Sequence, residues 1–163
     1  MTRSGIWALV ICMIAAMLEG LFAGPGVRRR LAELRQPRYS PPFPVWIGIG
    51  ILYYLICFIV LSRLVDSARS PSRSAALVSV VVLLIGNAAW NLVFFRHRNL
   101  ERSAAVSVAY AAVALTVATL LVRVDPVSAL VFLPYLIYLS YATWWVLALK
   151  RLNRKTTHGR YGE

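Results

Sequence analysis

The chain has few of the side chains on which most enzyme chemistry depends: six acidic residues, two histidines and two cysteines among 163 residues. His97 and His158 both fall outside the long apolar segments, so neither can serve as a base or as an iron ligand within them. The sequence has no Ser-His or zinc-type constellation and no phosphate-binding glycine loop. These absences argue against hydrolysis and metal catalysis, and we predict no catalytic residue, no metal site and no required cofactor.

The scarce acids and cysteines exclude two further classes of protein. Asp66 and Asp125 fall between apolar segments, so Glu19 has no second carboxylate inside the membrane and a proton-relay or rotary role is not indicated. Cys12 and Cys57 each lie deep in an apolar segment. We predict that both pack as buried thiols, without a disulfide framework.

Apolar residues are abundant instead, at 60% of the chain with a mean hydropathy of +0.67. They form five stretches, each near the roughly 20 residues that a helix needs to cross a bilayer. We predict an all-α membrane protein, a five-transmembrane-helix bundle forming a single domain over residues 1–163, with lipid bilayer around it. The predicted spans are 5–24, 44–65, 75–95, 103–124 and 128–150, followed by a basic C-terminal tail, 151–163.

The net charge of +12 is arranged for a membrane protein and against nucleic-acid binding, because the 18 basic residues sit at span ends and in connections. Thirteen fall on one side of the five spans and five on the other. The positive-inside rule therefore predicts an outside N-terminus and a cytoplasmic C-terminus. A cleaved signal peptide is an alternative for the first span, but the arginines at 28–30 oppose translocation.

The first connection, residues 25–43, is the longest and carries five arginines. Its second half is rich in proline, which fixes φ and favours extended chain. We expect a stiff, extended lid over one mouth of the bundle. The prolines at its end are Pro37, Pro41, Pro42 and Pro44.

Polar and aromatic residues form two stripes inside the predicted spans. Each stripe has offsets of 0, 3, 4 and 7, which places its members on one helix face. Their depth, with that of Tyr53, Tyr54 and Glu19, falls between the midplane and the cytoplasmic face. This grouping favours a pocket for a flat, largely apolar ligand, with first-loop arginines for its carboxylates. The stripes are Asn87, Trp90, Asn91 and Phe94 on the third span, and Tyr138, Tyr141, Ala142 and Trp145 on the fifth.

Each of these residues also has a simpler interpretation. Asn87 can be a hydrogen-bonding contact between helices, and Trp144 and Trp145 can be interfacial anchors. Glu19 can reach the headgroups or pair with an arginine of the first connection. The basic connections can serve topology alone.

Three motifs give the chain a family resemblance. Pro37-Arg38-Tyr39-Ser40-Pro41-Pro42 resembles P-x-W-x-P-P, and the run at 87–95 resembles N-x-x-W-x-x-x-F-F. The runs at 123–126 and 134–136 resemble R-V-D-P and P-Y-L. Together these stretches resemble the TspO/MBR family, the translocator or tryptophan-rich sensory proteins, over essentially the whole chain.

The resemblance implies a five-helix bundle, often a homodimer, with a ligand pocket beneath the first connection. It implies porphyrins, haem-like tetrapyrroles or sterol-like molecules as ligands, with Arg35 and Arg38 placed to pair with ligand carboxylates. Where the family has tryptophans, this chain has Tyr39 and Tyr138, and Leu147 replaces the tyrosine of a sterol-associated pattern. The predicted ligand-binding residues are Tyr39, Pro41, Pro42, Tyr53, Asn87, Trp90, Tyr138, Tyr141 and Ala142.

Three functions remain open from the sequence. The first is binding of tetrapyrrole-like ligands, with transport or sensing as its consequence. The second is photo-oxidative porphyrin breakdown through Trp90, which some family members are reported to perform. The third is a ligand-free scaffold, for which small residues such as Ala105 and Ala109 allow close helix contact.

Overall fold

A computed structural model describes residues 2–154 of the chain. Over that range the protein is helical throughout, and five helices are long and apolar enough to cross a membrane. The all-α, five-span prediction is confirmed, and the protein is a multi-pass integral membrane protein. Residues 155–163 of the predicted basic tail lie outside the described residues, and the orientation of the termini stays a prediction. The helices are α1 Arg3–Ala23, α2 Val27–Glu33, α3 Phe43–Asp66, α4 Pro71–Asn91, α5 Leu100–Val124 and α6 Pro126–Leu152.

Local sequence signals set the ends of several helices. The side chains of Ser70 and Asn99 accept hydrogen bonds from backbone N–H groups in the first turns of α4 and α5, at 3.1 Å and 2.9 Å. Pro71 and Pro126 occupy first-turn positions, where a missing N–H costs nothing. α1 ends at Gly24, whose φ of 70° suits glycine best.

The five long helices pack around a main apolar core, and a second, smaller cluster lies near the first connection. α5 lies between α4 and α6, α1 packs against α3 and α4, and α3 contacts α6. Leu64, Leu83 and Val117 are fully buried at the centre of this packing. The outer surface is also apolar: Ile51 and Leu130 are 66% and 69% exposed. Lipid tails accommodate such side chains, whereas water would not.

The first connection differs from the predicted extended lid. Its first half is the helix α2, Val27–Glu33, and only residues 34–42 are irregular. The physical reason is that the prolines begin at Pro37, while the preceding Arg, Leu, Ala and Glu residues are good helix formers. An ion pair between Arg29 and Glu33, at 3.1 Å, adds support one turn apart. The prediction of extended chain was therefore wrong for this half.

α4 ends in a wide π-helical turn, Leu92–Arg96, before the connection to α5. Such turns insert one extra residue into a helix and often occur at functional sites. Here the turn carries Phe94, which is fully buried against Trp90.

An ion pair fastens the opposite end of the bundle. Arg63 of α3 donates from Nε and an Nη to the two carboxylate oxygens of Asp125, at 2.7 Å and 3.0 Å. Ser128 donates a third hydrogen bond to Asp125 at 2.6 Å. The Arg63 guanidinium, helped by Ser128, lowers the pKa of Asp125 to about 2. The pair joins α3 to the turn between α5 and α6.

We predict that Asp125→Asn lowers the apparent unfolding temperature in detergent at pH 6 and has little effect at pH 2. The carboxylate pKa lies below the unfolded value of roughly 3.9. The stabilisation is therefore present above about pH 4 and is lost as the pH falls toward about 2. Thermal scans of wild type and variant across this range measure it.

The matched variant is Arg63→Gln. It should show the same loss at pH 6, and the double variant should lose little more, because both substitutions remove one interaction. An Asp125→Asn effect of equal size at both pH values would contradict the assignment.

Candidate ligand cavity

A cavity of about 440 Å³ opens at the end of the bundle nearest the first connection. Its wall comes mainly from α1, α3, α4 and α6. Ser107 and Tyr110 of α5 also line it, and α2 borders it through Val27 and Leu31. The volume lies within the roughly 300–1,000 Å³ typical of small-molecule sites.

Tryptophan rings form one side of the cavity. Trp46 and Trp145 contact each other with ring centroids 4.7 Å apart, and Trp90 stacks on Phe94 at 4.7 Å and 13°. The Trp90 indole N–H donates to Ser107 Oγ of α5 at 2.8 Å, which fixes the ring. The ring faces make this side of the cavity apolar, and the Trp90 indole N–H points away to its serine partner.

Three tyrosines form the deep end. The Tyr110 hydroxyl lies 2.5 Å from that of Tyr135 and donates to that of Tyr53 at 3.4 Å. The three residues come from α5, α6 and α3, so the hydroxyls link those helices. Gly86 of α4 makes room, because a Cβ there would lie 3.0 Å from the Tyr110 ring.

A carboxylate stands on the opposite wall. Glu19 of α1 accepts hydrogen bonds from Tyr54 at 2.6 Å, from Asn87 at 2.7 Å and from Asn91 at 3.2 Å. Asn91 also donates to the Asn87 carbonyl oxygen at 3.0 Å. These contacts join α1, α3 and α4 through one acid, in a part of the chain where lipid offers no partner.

Side chains of α6 hold the irregular half of the first connection over the cavity. Trp145 Nε1 donates to Ser40 Oγ at 2.8 Å, and the Tyr141 hydroxyl donates to the Tyr39 carbonyl oxygen at 2.7 Å. Asn153 bonds both backbone groups of one residue: its Oδ1 accepts from Arg35 N at 3.0 Å, and its Nδ2 donates to Arg35 O at 3.1 Å. This half of the connection is thus tied to α6 and to Asn153, the residue that caps it.

A comparison with known protein families identifies the family of this chain. The model of the TspO/MBR family matches residues 8–151, which is most of the chain. The chain belongs to the TspO/MBR family. A comparison with curated proteins finds no match. The matched region contains all five long helices in whole or large part, together with the first connection.

Five of the nine predicted ligand-binding residues line the cavity of this TspO/MBR protein. They come from three helices that the sequence could not orient relative to one another. The five are Tyr53, Asn87, Trp90, Tyr138 and Ala142.

The other predicted residues lie elsewhere. Tyr39 is 69% exposed, and Pro41 and Pro42 do not reach the wall. Tyr141 also misses the wall, since its hydroxyl turns to the backbone of the first connection. Ser40, which stands between Tyr39 and Pro41 in the connection, accepts a hydrogen bond from the cavity residue Trp145.

The two arginines predicted to pair with ligand carboxylates are also outside the cavity wall. Arg35 is held through its backbone by Asn153, and the Arg38 guanidinium lies 5.7 Å from the centre of the Tyr39 ring. Arg30 of α2 is more buried, at 12% side-chain exposure, and bonds the Arg98 carbonyl oxygen at 3.1 Å. Burial and the neighbouring Arg98 lower the pKa of Arg30.

The sequence interpretation missed several lining residues and misjudged others. Trp145 is 3% exposed and packs inside the bundle, so the interfacial-anchor alternative was wrong for it, whereas Trp144 is 45% exposed. Glu19 bonds Tyr54 and two asparagines rather than an arginine of the first connection. Tyr135 lies one turn before Tyr138 on α6, so extending the α6 stripe by one turn would have found it.

We predict that Asn153→Ala loosens the first connection. The substitution removes both hydrogen bonds to Arg35, and the Arg35 amide loses its partner. Amide hydrogen exchange in residues 34–42 should quicken about tenfold, while exchange in α5 stays unchanged. The exposed neighbour variant Arg151→Ala is the control and should exchange like wild type. Unchanged exchange at residues 34–42 in Asn153→Ala would contradict the anchoring role.

Proposed function

We propose that this TspO/MBR protein binds flat, mainly apolar ligands of the tetrapyrrole class, such as porphyrins, in the cavity. The observation that carries the proposal is the composition of the wall: three tryptophans and five tyrosines surround about 440 Å³ of space. Aromatic walls suit planar aromatic ligands, because offset stacking adds about 0.5–1.5 kcal/mol to the burial of each ring. Membership of the family supports the same ligand class.

The arrangement supports a simple binding mechanism. A planar ligand lies against the rings of Trp46, Trp90 and Trp145 at the open end of the cavity. Serine hydroxyls already hold the indole N–H groups of Trp90 and Trp145, so these two rings lose little side-chain entropy when a ligand binds. Its carboxylates remain at the rim, within reach of the basic first connection, where Arg35 and Arg38 lie outside the wall. Transport or sensing would follow from occupancy. Homodimer formation is a further family expectation that the cavity does not require.

We predict that Trp90→Phe weakens protoporphyrin binding about three- to tenfold. The smaller ring loses stacking area and the hydrogen bond to Ser107, which fixes the tryptophan. Titration of the purified protein in nanodiscs, followed by quenching of tryptophan fluorescence, measures the dissociation constant.

The control is Trp7→Phe, because Trp7 lies on the outer face of α1 at 56% exposure. This variant should bind protoporphyrin as wild type does. Equal affinity in Trp90→Phe, or no saturable binding in any variant, would contradict the proposal and favour the scaffold alternative. An absorbance spectrum of bound porphyrin that decays under illumination would instead favour the enzymatic alternative.

A further inference from the structure

Glu19 is an acid in a membrane-spanning helix, and its hydrogen-bond partners within residues 2–154 are all uncharged. None of the described residues that line the cavity is a lysine, an arginine or a histidine. An ionisable side chain inside a membrane is costly, and it commonly marks a functional site. The three hydrogen bonds from Tyr54, Asn87 and Asn91 hold the carboxylate in one position.

The hydrogen bonds leave one acceptor position open. A carboxylate has about four lone-pair positions, two on each oxygen. Glu19 Oε2 accepts two hydrogen bonds, from Tyr54 and Asn87, and Oε1 accepts one, from Asn91. One position on Oε1 has no donor among the described residues.

Two glycines line the same cavity as Glu19 and leave its wall open near them. Gly20 of α1 and Gly50 of α3 both line the cavity, and a Cβ added to either would meet no atom within 4 Å. Gly20 is the residue next to Glu19 in the chain. A ligand edge can therefore lie between α1 and α3 at the level of the carboxylate.

We propose that Oε1 of Glu19 accepts a hydrogen bond from an N–H group on the ligand. The cavity then selects, among flat aromatic molecules, those with an N–H donor at their edge. Three side chains already donate to the two oxygens of this carboxyl group, so the oxygens act as acceptors, and a site built for a donor rejects an analogue that lacks it. This proposal rests on the proposed ligand-binding function of the same cavity.

The test uses two probes of almost the same shape. Carbazole has an N–H at the position where dibenzofuran has an oxygen, so only the first can donate to Glu19. Equilibrium dialysis between protein-loaded and empty nanodiscs, with each probe measured by its absorbance, removes the contribution of partition into lipid. Wild-type protein should bind carbazole about tenfold more tightly than dibenzofuran. A preference below twofold would overturn the proposal without any variant.

The variant Glu19→Gln should remove or reverse the preference for carbazole. The amide oxygen of glutamine can accept from Tyr54 and Asn87, which puts its NH₂ group in the place of Oε1, toward Asn91 and the open position. Carbazole should then lose affinity and dibenzofuran should gain it, so that the ratio falls to one or below. A carbazole preference that survives in this variant would overturn the proposal.

A control variant separates the open position from a general effect of removing an acid. Glu101→Gln removes an exposed carboxylate, with 75% side-chain exposure, and should keep the carbazole preference. Loss of the preference in this control would count against Oε1 as the selective atom.

The outcomes separate this proposal from the proposed function. If protoporphyrin and both probes bind, but the probes bind equally, the role of Glu19 fails and the ligand cavity stands. If neither probe nor protoporphyrin binds above empty nanodiscs, both proposals fail.

Discussion

A bilayer offers no hydrogen-bonding partners, so each polar side chain inside it must find one within the bundle. This constraint gathers the polar groups of the described chain into a few places. Glu19 draws Tyr54, Asn87 and Asn91 to one wall, and the hydroxyls of Tyr53, Tyr110 and Tyr135 form the deep end. The apolar outer surface and the polar, aromatic cavity are two results of the same requirement.

At the cavity end of the bundle, polar contacts between distant parts of the chain join the helices, and few aliphatic side chains fill the space between them. The cavity stays open for this reason. Away from the cavity, in the main core, Leu64, Leu83 and Val117 have no accessible surface. Near the first connection, Ala16, Gly20 and Gly50 contribute almost no volume, and the rings of Trp46 and Trp90 stand at the margins. A core of ordinary aliphatic residues would close this space, since protein interiors pack densely.

Much of the fold was predictable from the sequence, because each membrane-spanning helix satisfies its own backbone and hydropathy alone locates it. The stripe of Asn87 and Trp90 was also predictable, since helical periodicity is local. Helix α2 was not predictable in the same way, because its seven residues at 27–33 are followed closely by prolines, which favour extended chain. The partners of Glu19 depend on the relative rotation of three helices, which one sequence does not determine.

Tyr141 shows the limit of periodicity most clearly. With about 100° between successive residues of a helix, it stands roughly 60° from Tyr138 at the edge of the predicted stripe. Because of that rotation, the Tyr141 hydroxyl bonds the backbone of the first connection and does not face the cavity. A helical stripe therefore predicts better which residues face the cavity at its centre than at its edges.

One ring has two tasks. Trp145 borders the cavity, and its indole N–H is also the donor that holds Ser40. Anything that displaces the ring from inside must stretch or break that hydrogen bond. A ligand in the cavity would thus change the Trp145–Ser40 contact at the rim of the bundle through the rotation of one side chain. No helix would have to slide.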